Sequence, residues 1–453
     1  MPHDGRVVLI PSCLAMLAVG ENSTAIMAAL PAMSASIGLE PGTVEWVVNA
    51  YLLAAAAFII LGGEAADRFG ARRSSAMGIA LFAVASLIIA VVPNGVVLVA
   101  ARALQGLGAA FAVPGTLAAV TDSTPQAGRA GAISAWTGFL MLGFSVGPLV
   151  GGVVTHYAGW RANFWLNILI MLPAGLAMGL CARTGARRRS QVDWLGLGLL
   201  AVFMAVLTFG LHALPTVGSA PGATVVPLAL ASASFAALLW VETRNPRPLL
   251  DFSLFSNQTF ALACVLAFLL MFDIMTLLLY YNLFAQAPDG LGMTAVAAGL
   301  SLVPLSVALF GFARVAPQLG AAIGLRTMMS GALLLLALSC AITWASPLRG
   351  AGFAVLMLGL FAAGAGIAIP YASAPRIGLA ALPHTQAGKG AGVLNACSFL
   401  GGTVGVTCGG IVFASAGFAG VLVLLALSAL VGAGLSLRLR TPELPRTRAV
   451  SGQ

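Results

Sequence analysis

Three charged side chains stand inside long apolar stretches: Glu21, Arg102 and Asp273. A charge in hydrocarbon is costly and by default functional. Counting about 1.5 Å per residue from the start of each stretch, in a core of about 30 Å, puts Glu21 and Arg102 at similar depth. Asp273 lies about as deep as Glu21. A carboxylate facing a guanidinium, changing partner on protonation, is a physically sensible proton switch. The spacing therefore predicts a Glu21–Arg102 pair as the main proton-coupling site. Asp273 is a second acid, facing helix 1 across a cavity, that helps choose or bind cationic ligand. Its alternative is a structural Asp satisfied by a hydroxyl such as Thr276.

Other chemistries find less support. Gly143-Phe144-Ser145-Val146-Gly147 matches the GxSxG nucleophile elbow. That elbow needs a strand–turn–helix context with a His and an acid, and here it lies in mid-span. No GxxxxGK[ST] phosphate loop occurs, which argues against an ATP-driven pump. The histidines His3, His156, His212 and His384 are scattered. The cysteines Cys13, Cys181, Cys264, Cys340, Cys397 and Cys408 lie in or at the ends of apolar spans, without metal spacing. The expectation is neither an enzyme nor a metal or cofactor protein, and no disulfide.

What positions the charges is a membrane bundle. Of 453 residues, 60% are hydrophobic and 8% charged, a membrane composition. Windows of about 19 residues give about fourteen spans. They lie near 7–31, 45–63, 74–92, 96–118, 131–154, 163–182, 194–213, 222–241, 259–285, 294–313, 326–345, 350–372, 388–414 and 417–437. They group as six, two and six. The expected units are 1–185, a two-helix insert 186–250, a second six-helix bundle 251–440 and a tail 441–453. Basic residues crowd the loops on one side, among them Arg68, Arg72, Arg73, Arg129, Arg183, Arg187–Arg189, Arg247, Arg314, Arg326, Arg376 and Lys389. The opposite loops hold Arg161 and Arg349. That bias predicts both termini in the cytoplasm. The net charge of +9 is then a topology signal rather than a nucleic-acid footprint.

Two motifs organise the bundles. Gly63-xxx-Asp67-Arg68-x-Gly70-x-Arg72-Arg73 reads as a tight surface loop between two spans, with Gly70 at the turn and Asp122 a partner for its arginines. Gly143-xxx-Gly147-Pro148-xx-Gly151-Gly152 puts glycines on one helix face, where a neighbouring backbone can approach. Its Pro148 frees a backbone carbonyl and predicts a kink. Plain helix packing is the alternative to a gate. Asn22, Asn49, Trp136, Phe272, Tyr280 and Asn395 are the candidates for lining a substrate cavity.

The Gly63–Arg73 loop resembles the signature between helices 2 and 3 of the major facilitator superfamily. Further stretches resemble its fourteen-span drug:proton antiporter branch: Ala29-Leu30-Pro31, Glu45-Trp46-Val47-Val48-Asn49-Ala50-Tyr51, Arg102-xx-Gln105-Gly106-x-Gly108, the Gly143–Gly152 motif and Trp160-Arg161-xx-Phe164-xx-Asn167. The second half repeats the signature weakly, as Gly324-x-Arg326. The resemblance implies an all-α fold of two six-helix bundles related by an axis along the membrane normal, plus two inserted helices. It also implies proton-coupled export of small amphipathic molecules across a bacterial cytoplasmic membrane, by a monomer. Its partners would be the substrate, protons and the bilayer. Alternatives are a dedicated exporter or importer of one metabolite, a channel or sensor, and, remotely, an intramembrane hydrolase. There is one departure: the position where that branch carries its helix 1 Asp is Asn22 here, with the acid displaced one residue to Glu21.

Overall fold

The structure is a computed structural model and describes residues 3–180, 193–214, 221–245, 248–348, 352–383 and 386–439. Arg183, Arg187–Arg189, Arg247, His384, Cys181, Arg349 and the tail 441–453 lie outside the described residues.

Long apolar runs fold as helices because hydrocarbon leaves backbone polar groups no other partner. The first six helices are α1 (His3–Ile37), α2 (Pro41–Phe69), α3 (Ala71–Val91), α4 (Gly95–Ser123), α5 (Gln126–Ala158) and α6 (Arg161–Leu180). A pair follows, α7 (Trp194–His212) and α8 (Pro221–Arg244). Then come α9 (Gln258–Gln286), α10 (Ala295–Ser301), α11 (Val303–Ile323), α12 (Leu325–Leu348), α13 (Gly352–Ala380) and α14 (Ala387–Ser436). Helices α10 and α11 make one span, 295–323. Among the described residues thirteen helical stretches are long and apolar enough to cross a membrane. The last, α14, breaks at Gly417 (φ 63°), where two helices meet, and its 50 residues are long enough for two crossings. Short side-chain caps start several helices: Asn94 accepts from Val97 N at 3.0 Å and Asp193 from Gly196 N at 2.8 Å.

Helices α1–α6 pack on one another, as do α9–α14, while α8 packs on α7 and α7 touches α2 and α14. The two groups repeat one packing scheme. Gly143, Gly147 and Gly151 of α5 press on the α1 backbone at Leu17, Glu21 and Ala25. Gly401 and Gly405 of α14 press on the α9 backbone at Phe268 and Phe272, and Gly409 meets Thr276 and Tyr280. Gly106 and Gly108 of α4 meet the backbones of Tyr51 and Phe82; Gly364 and Gly366 of α13 meet those of Leu305 and Leu336. A Cβ at these positions would strike backbone, so small residues set the interhelical distances.

The Gly63–Arg73 stretch differs from the predicted loop. Helix α2 runs on to Phe69 and α3 starts at Ala71, leaving Gly70 alone (φ 93°) as the turn. Gly63, Asp67 and Arg68 lie on the last turns of α2, and Arg72 and Arg73 open α3. The reason is length: 29 residues make a helix of roughly 43 Å, longer than a core of about 30 Å, so its end stands clear of the hydrocarbon. Gly324 (φ 83°) makes the same turn between α11 and α12.

Candidate functional site

The polar core of the first bundle is built around Arg102, which is fully buried on α4. Its Nε donates to the Val47 carbonyl at 2.9 Å and a terminal nitrogen donates to Gln105 Oε1. Its guanidinium lies 4.6 Å from the centre of the Tyr51 ring. Gln105 Nε2 donates to Ser86 Oγ at 2.8 Å. Asn22 Nδ2 reaches Gln105 Oε1 at 3.4 Å, and Asn22 Oδ1 accepts from Asn167 Nδ2 at 3.0 Å. One network thus ties α1, α2, α3, α4 and α6 together. Gln105 and Asn167 both fall inside stretches noted above, but nothing in their spacing said that they join Asn22.

The predicted Glu21–Arg102 pair does not form. Glu21 is 4% exposed and neither carboxylate oxygen has a hydrogen-bond partner. Its neighbours Gly20 and Thr24 face α5. One residue is about 100° of helix, and that rotation gives the Arg102 side of α1 to Asn22 instead.

Asp273 also departs from expectation. It is 1% exposed and unbonded at both oxygens. Its neighbours are Ser428 on the second limb of α14 and Cys340 on α12, so it points into its own bundle. It does not face α1 across a cavity. Thr276 is no partner for it, since its hydroxyl is itself unbonded. The seam face of α9 belongs to Met271 and Ile274.

That seam has a glycine contact at its Gly159 end. Gly152 of α5 lies on the Ala295 carbonyl of α10, and Gly299 of α10 lies on the Pro148 carbonyl. Gln286 Nε2 donates to the Ala28 carbonyl at 3.0 Å, and Asn49 Nδ2 to Thr407 Oγ1 at 3.0 Å. Toward the Gly70 end, Gly402 meets Leu52 and Gly392 meets Ile60. Midway, Met141 and Phe144 of α5, Met271 and Ile274 of α9, Leu309 of α11 and Tyr371 of α13 line a narrow apolar recess of about 10 Å³. That is room for about one water, so a larger occupant requires the bundles to part.

Pro148 sits in an unbroken α5. It lacks the N–H that Phe144 O would accept, and Thr24 Oγ1 of α1 donates there at 3.1 Å. The freed carbonyl is thereby satisfied without a break. Gly143, Gly147 and Gly151 face α1, whereas Pro148 and Gly152 face the other bundle.

Of the cavity candidates, Asn49 alone bonds across the seam. Asn22 belongs to the Arg102 network. Trp136 Nε1 donates to Thr116 Oγ1 at 3.0 Å, within its bundle. Phe272 and Tyr280 pack on α14, where Tyr280 donates to the Val406 carbonyl. Asn395 Nδ2 bonds its own helix at Ala391 O, 2.9 Å away. These five do not line the central void. At the Gly70 turn, Arg72 donates to Ser123 Oγ at 3.1 Å, next to Asp122; Asp67 and Arg68 are exposed.

Sequence reasoning missed Glu45. Its Oε2 lies 3.2 Å from His212 Nδ1 of α7, and its carboxylate fills the notch at Gly410 of α14. It therefore touches all three groups of helices. The acid at the head of α2 was visible, but a histidine 167 residues away gave no signal. A cavity of about 690 Å³ lies off the seam, in the second bundle, lined by Phe284, Met293, Thr343, Trp344, Phe353 and Phe418.

Residues 12–321 match the family model described as Major Facilitator Superfamily. The chain is 30% identical over 421 residues to the multidrug resistance protein Stp of Mycobacterium tuberculosis, covering 92% of this chain and 77% of that protein. It is 29% identical over 413 residues to the tetracenomycin C resistance and export protein of Streptomyces glaucescens, covering 90% and 76%. Among solved structures, a POT family transporter bound to 5-aminolevulinic acid shares the fold with TM-score 0.73 at 14% identity, covering 96% of both chains. The xylose transporter XylE from E. coli, in a partially occluded inward-open conformation, gives 0.66 at 14% identity, covering 95% and 98%.

Proposed function

Because the chain belongs to the Major Facilitator Superfamily, we propose that it exports small amphipathic compounds from the cell, in exchange for protons, by alternating access. The observation that carries this reading is the seam: glycine-to-carbonyl contacts hold two bundles together at one end of a narrow apolar void. A rocking motion about that void would expose it to each side in turn. The relatives named for multidrug resistance and for tetracenomycin C resistance and export support drug-like cargo. In this reading both termini and the Gly70 and Gly324 turns are cytoplasmic, and the Gly159 end is outside. Gly63, Asp67, Arg68, Gly70, Arg72 and Asp122 form the inner hinge. Gly143, Gly147, Pro148, Gly151 and Gly152 form the outer closure. Among the described residues, Glu21 and Asp273 are buried carboxyls in the middle of the membrane core, placed to take up a proton.

The test is growth of cells with and without the gene on a panel of toxic compounds, followed by transport in liposomes under an imposed proton gradient. Resistance to several unrelated compounds, with gradient-driven flux, is expected. Flux of one metabolite alone would favour a dedicated transporter. No flux of any compound would sink the export reading.

A further inference from the structure

We propose that the coupling acid of this chain stands in the second bundle: Asp273 occupies there the place that Asn22 holds in the first, and it is the group that carries the proton. The proposal rests on the proton-coupled export reading.

The equivalence comes from packing register. Asn22 lies five residues beyond Leu17, whose backbone meets Gly143; Asp273 lies five beyond Phe268, whose backbone meets Gly401. The next contacts keep step, Glu21 under Gly147 and Phe272 under Gly405. The partners agree as well. Asn22 bonds Asn167 on α6, the helix after the Gly159 turn; Asp273 lies beside Ser428, on the limb after the Gly417 turn. Asn22 also bonds Gln105, which holds Ser86, sixteen residues after Gly70; Asp273 neighbours Cys340, sixteen after Gly324.

The two sites differ in how they are filled. In the first, Asn22 and Gln105 are bonded at both ends of their amides, Asn167 is bonded through its nitrogen, and Arg102 supplies the charge. In the second, Ser428 is the hydroxyl close enough to serve Asp273, but neither the carboxylate, that hydroxyl nor, one turn along α9, the buried Thr276 hydroxyl makes a hydrogen bond of full geometry. A neutral acid needs a partner for its proton and an anion needs donors; a site that supplies neither permanently suits a group that alternates. Cys340 is the titratable group facing it. The charged groups of the packed helices, Arg326, Arg376 and Lys389, stand at the Gly70 ends of α12, α13 and α14. Glu21 lies on α1 toward α5. The step is simple: the carboxylate accepts a proton entering from outside and releases the same proton to the cytoplasm, with no other bond changed.

The experiment uses the full chain in liposomes, with ethidium as probe. Wild type, Asp273→Asn, Glu21→Gln and the exchange variant Asn22→Asp/Asp273→Asn are compared for gradient-driven accumulation and for ethidium–ethidium exchange without a gradient. Folding is checked by size-exclusion profile. Asp273→Asn is expected to lose gradient-driven accumulation and keep exchange, and the exchange variant to recover part of the accumulation. Infrared difference spectra between acid and alkaline buffer should show a protonated-carboxyl band in wild type that Asp273→Asn lacks. A purely structural Asp273 would move none of these selectively. Retained accumulation in Asp273→Asn, or its loss in Glu21→Gln alone, overturns the proposal. So does a folded exchange variant that recovers nothing. Absence of flux in wild type instead overturns the export reading beneath it.

Discussion

The two bundles share a packing scheme and differ in what fills it. In the first, Arg102, Gln105, Ser86, Asn22 and Asn167 make a continuous chain of hydrogen bonds between helices. In the second, the same region holds Asp273, Ser428 and Cys340, with the acid and the serine unbonded. Low dielectric magnifies both conditions: a satisfied network rigidifies, and an unsatisfied group is expensive. The Arg102 region of the first bundle should therefore act as a stiff frame, and the equivalent region of the second should store a group whose state can change.

The largest expected effect tests the stiff half. Arg102→Leu leaves Gln105 and the Val47 carbonyl without their charged donor, which at about 1–3 kcal/mol for each group should cost about 2–5 kcal/mol. A large drop in thermal midpoint of the detergent-purified protein is the reading; a change comparable to a surface substitution would remove Arg102 from the centre of the frame. Asn22→Leu cuts one link at each end of its amide and should cost about 1–3 kcal/mol. The same melting experiment reports it, and a neutral result would show that the Asn22–Asn167 bond is dispensable.

Legibility in the sequence divides along a similar line. Hydropathy gave the fourteen passes and their grouping, because span length is fixed by bilayer thickness. Glycine spacing gave the close face of α5. The Glu21–Arg102 pair failed because counting residues measures height and not azimuth. Glu21 and Asn22 differ little in depth, but about 100° of rotation separates them. The same blindness put Asp273 on the seam. Gly70 was legible as the turn of the Gly63–Arg73 stretch, but its flanks were read as surface loop where they are helix, because charge marks where a chain leaves hydrocarbon and a helix can continue beyond that point. The Glu45–His212 contact joins helices of different groups, which no local pattern specifies.

A smaller effect probes the joint within the first bundle. Thr24→Val removes the hydroxyl that serves the Phe144 carbonyl and should cost about 1 kcal/mol. Pro148→Ala restores the backbone N–H that this carbonyl lacks. The double variant should therefore recover most of the Thr24→Val loss, with a coupling of about 1 kcal/mol between the two sites. Strict additivity would mean that the two residues act separately. Gly152→Ala has a different target, since its methyl would meet the Ala295 carbonyl across the seam. It should lower the melting midpoint modestly and raise the reactivity of a cysteine placed on the seam near Ala28. Unchanged labelling would argue that this contact does not hold the outer end closed.

The smallest expected effect on stability is also the one that separates the bundles best. Asp273→Leu replaces an unbonded buried carboxyl with an apolar side chain of comparable reach. The native Asp273 forgoes its hydration and receives no hydrogen bond in return, a loss that polar burial makes costly. Filling the site with Leu removes that cost but adds volume beside Cys340 and Ser428, which costs something in repacking. The two should nearly cancel, leaving the stability within about 1 kcal/mol of wild type, or slightly above it. Asn22→Leu, at the equivalent position of the first bundle, should be clearly destabilising. If both Leu variants destabilise alike, Asp273 has partners as firm as those of Asn22. The contrast between a bonded frame and an unbonded acid would then be wrong. If Asp273→Leu is neutral while proton-driven flux is lost, the residue is held in place against stability, as expected of a group kept for its chemistry.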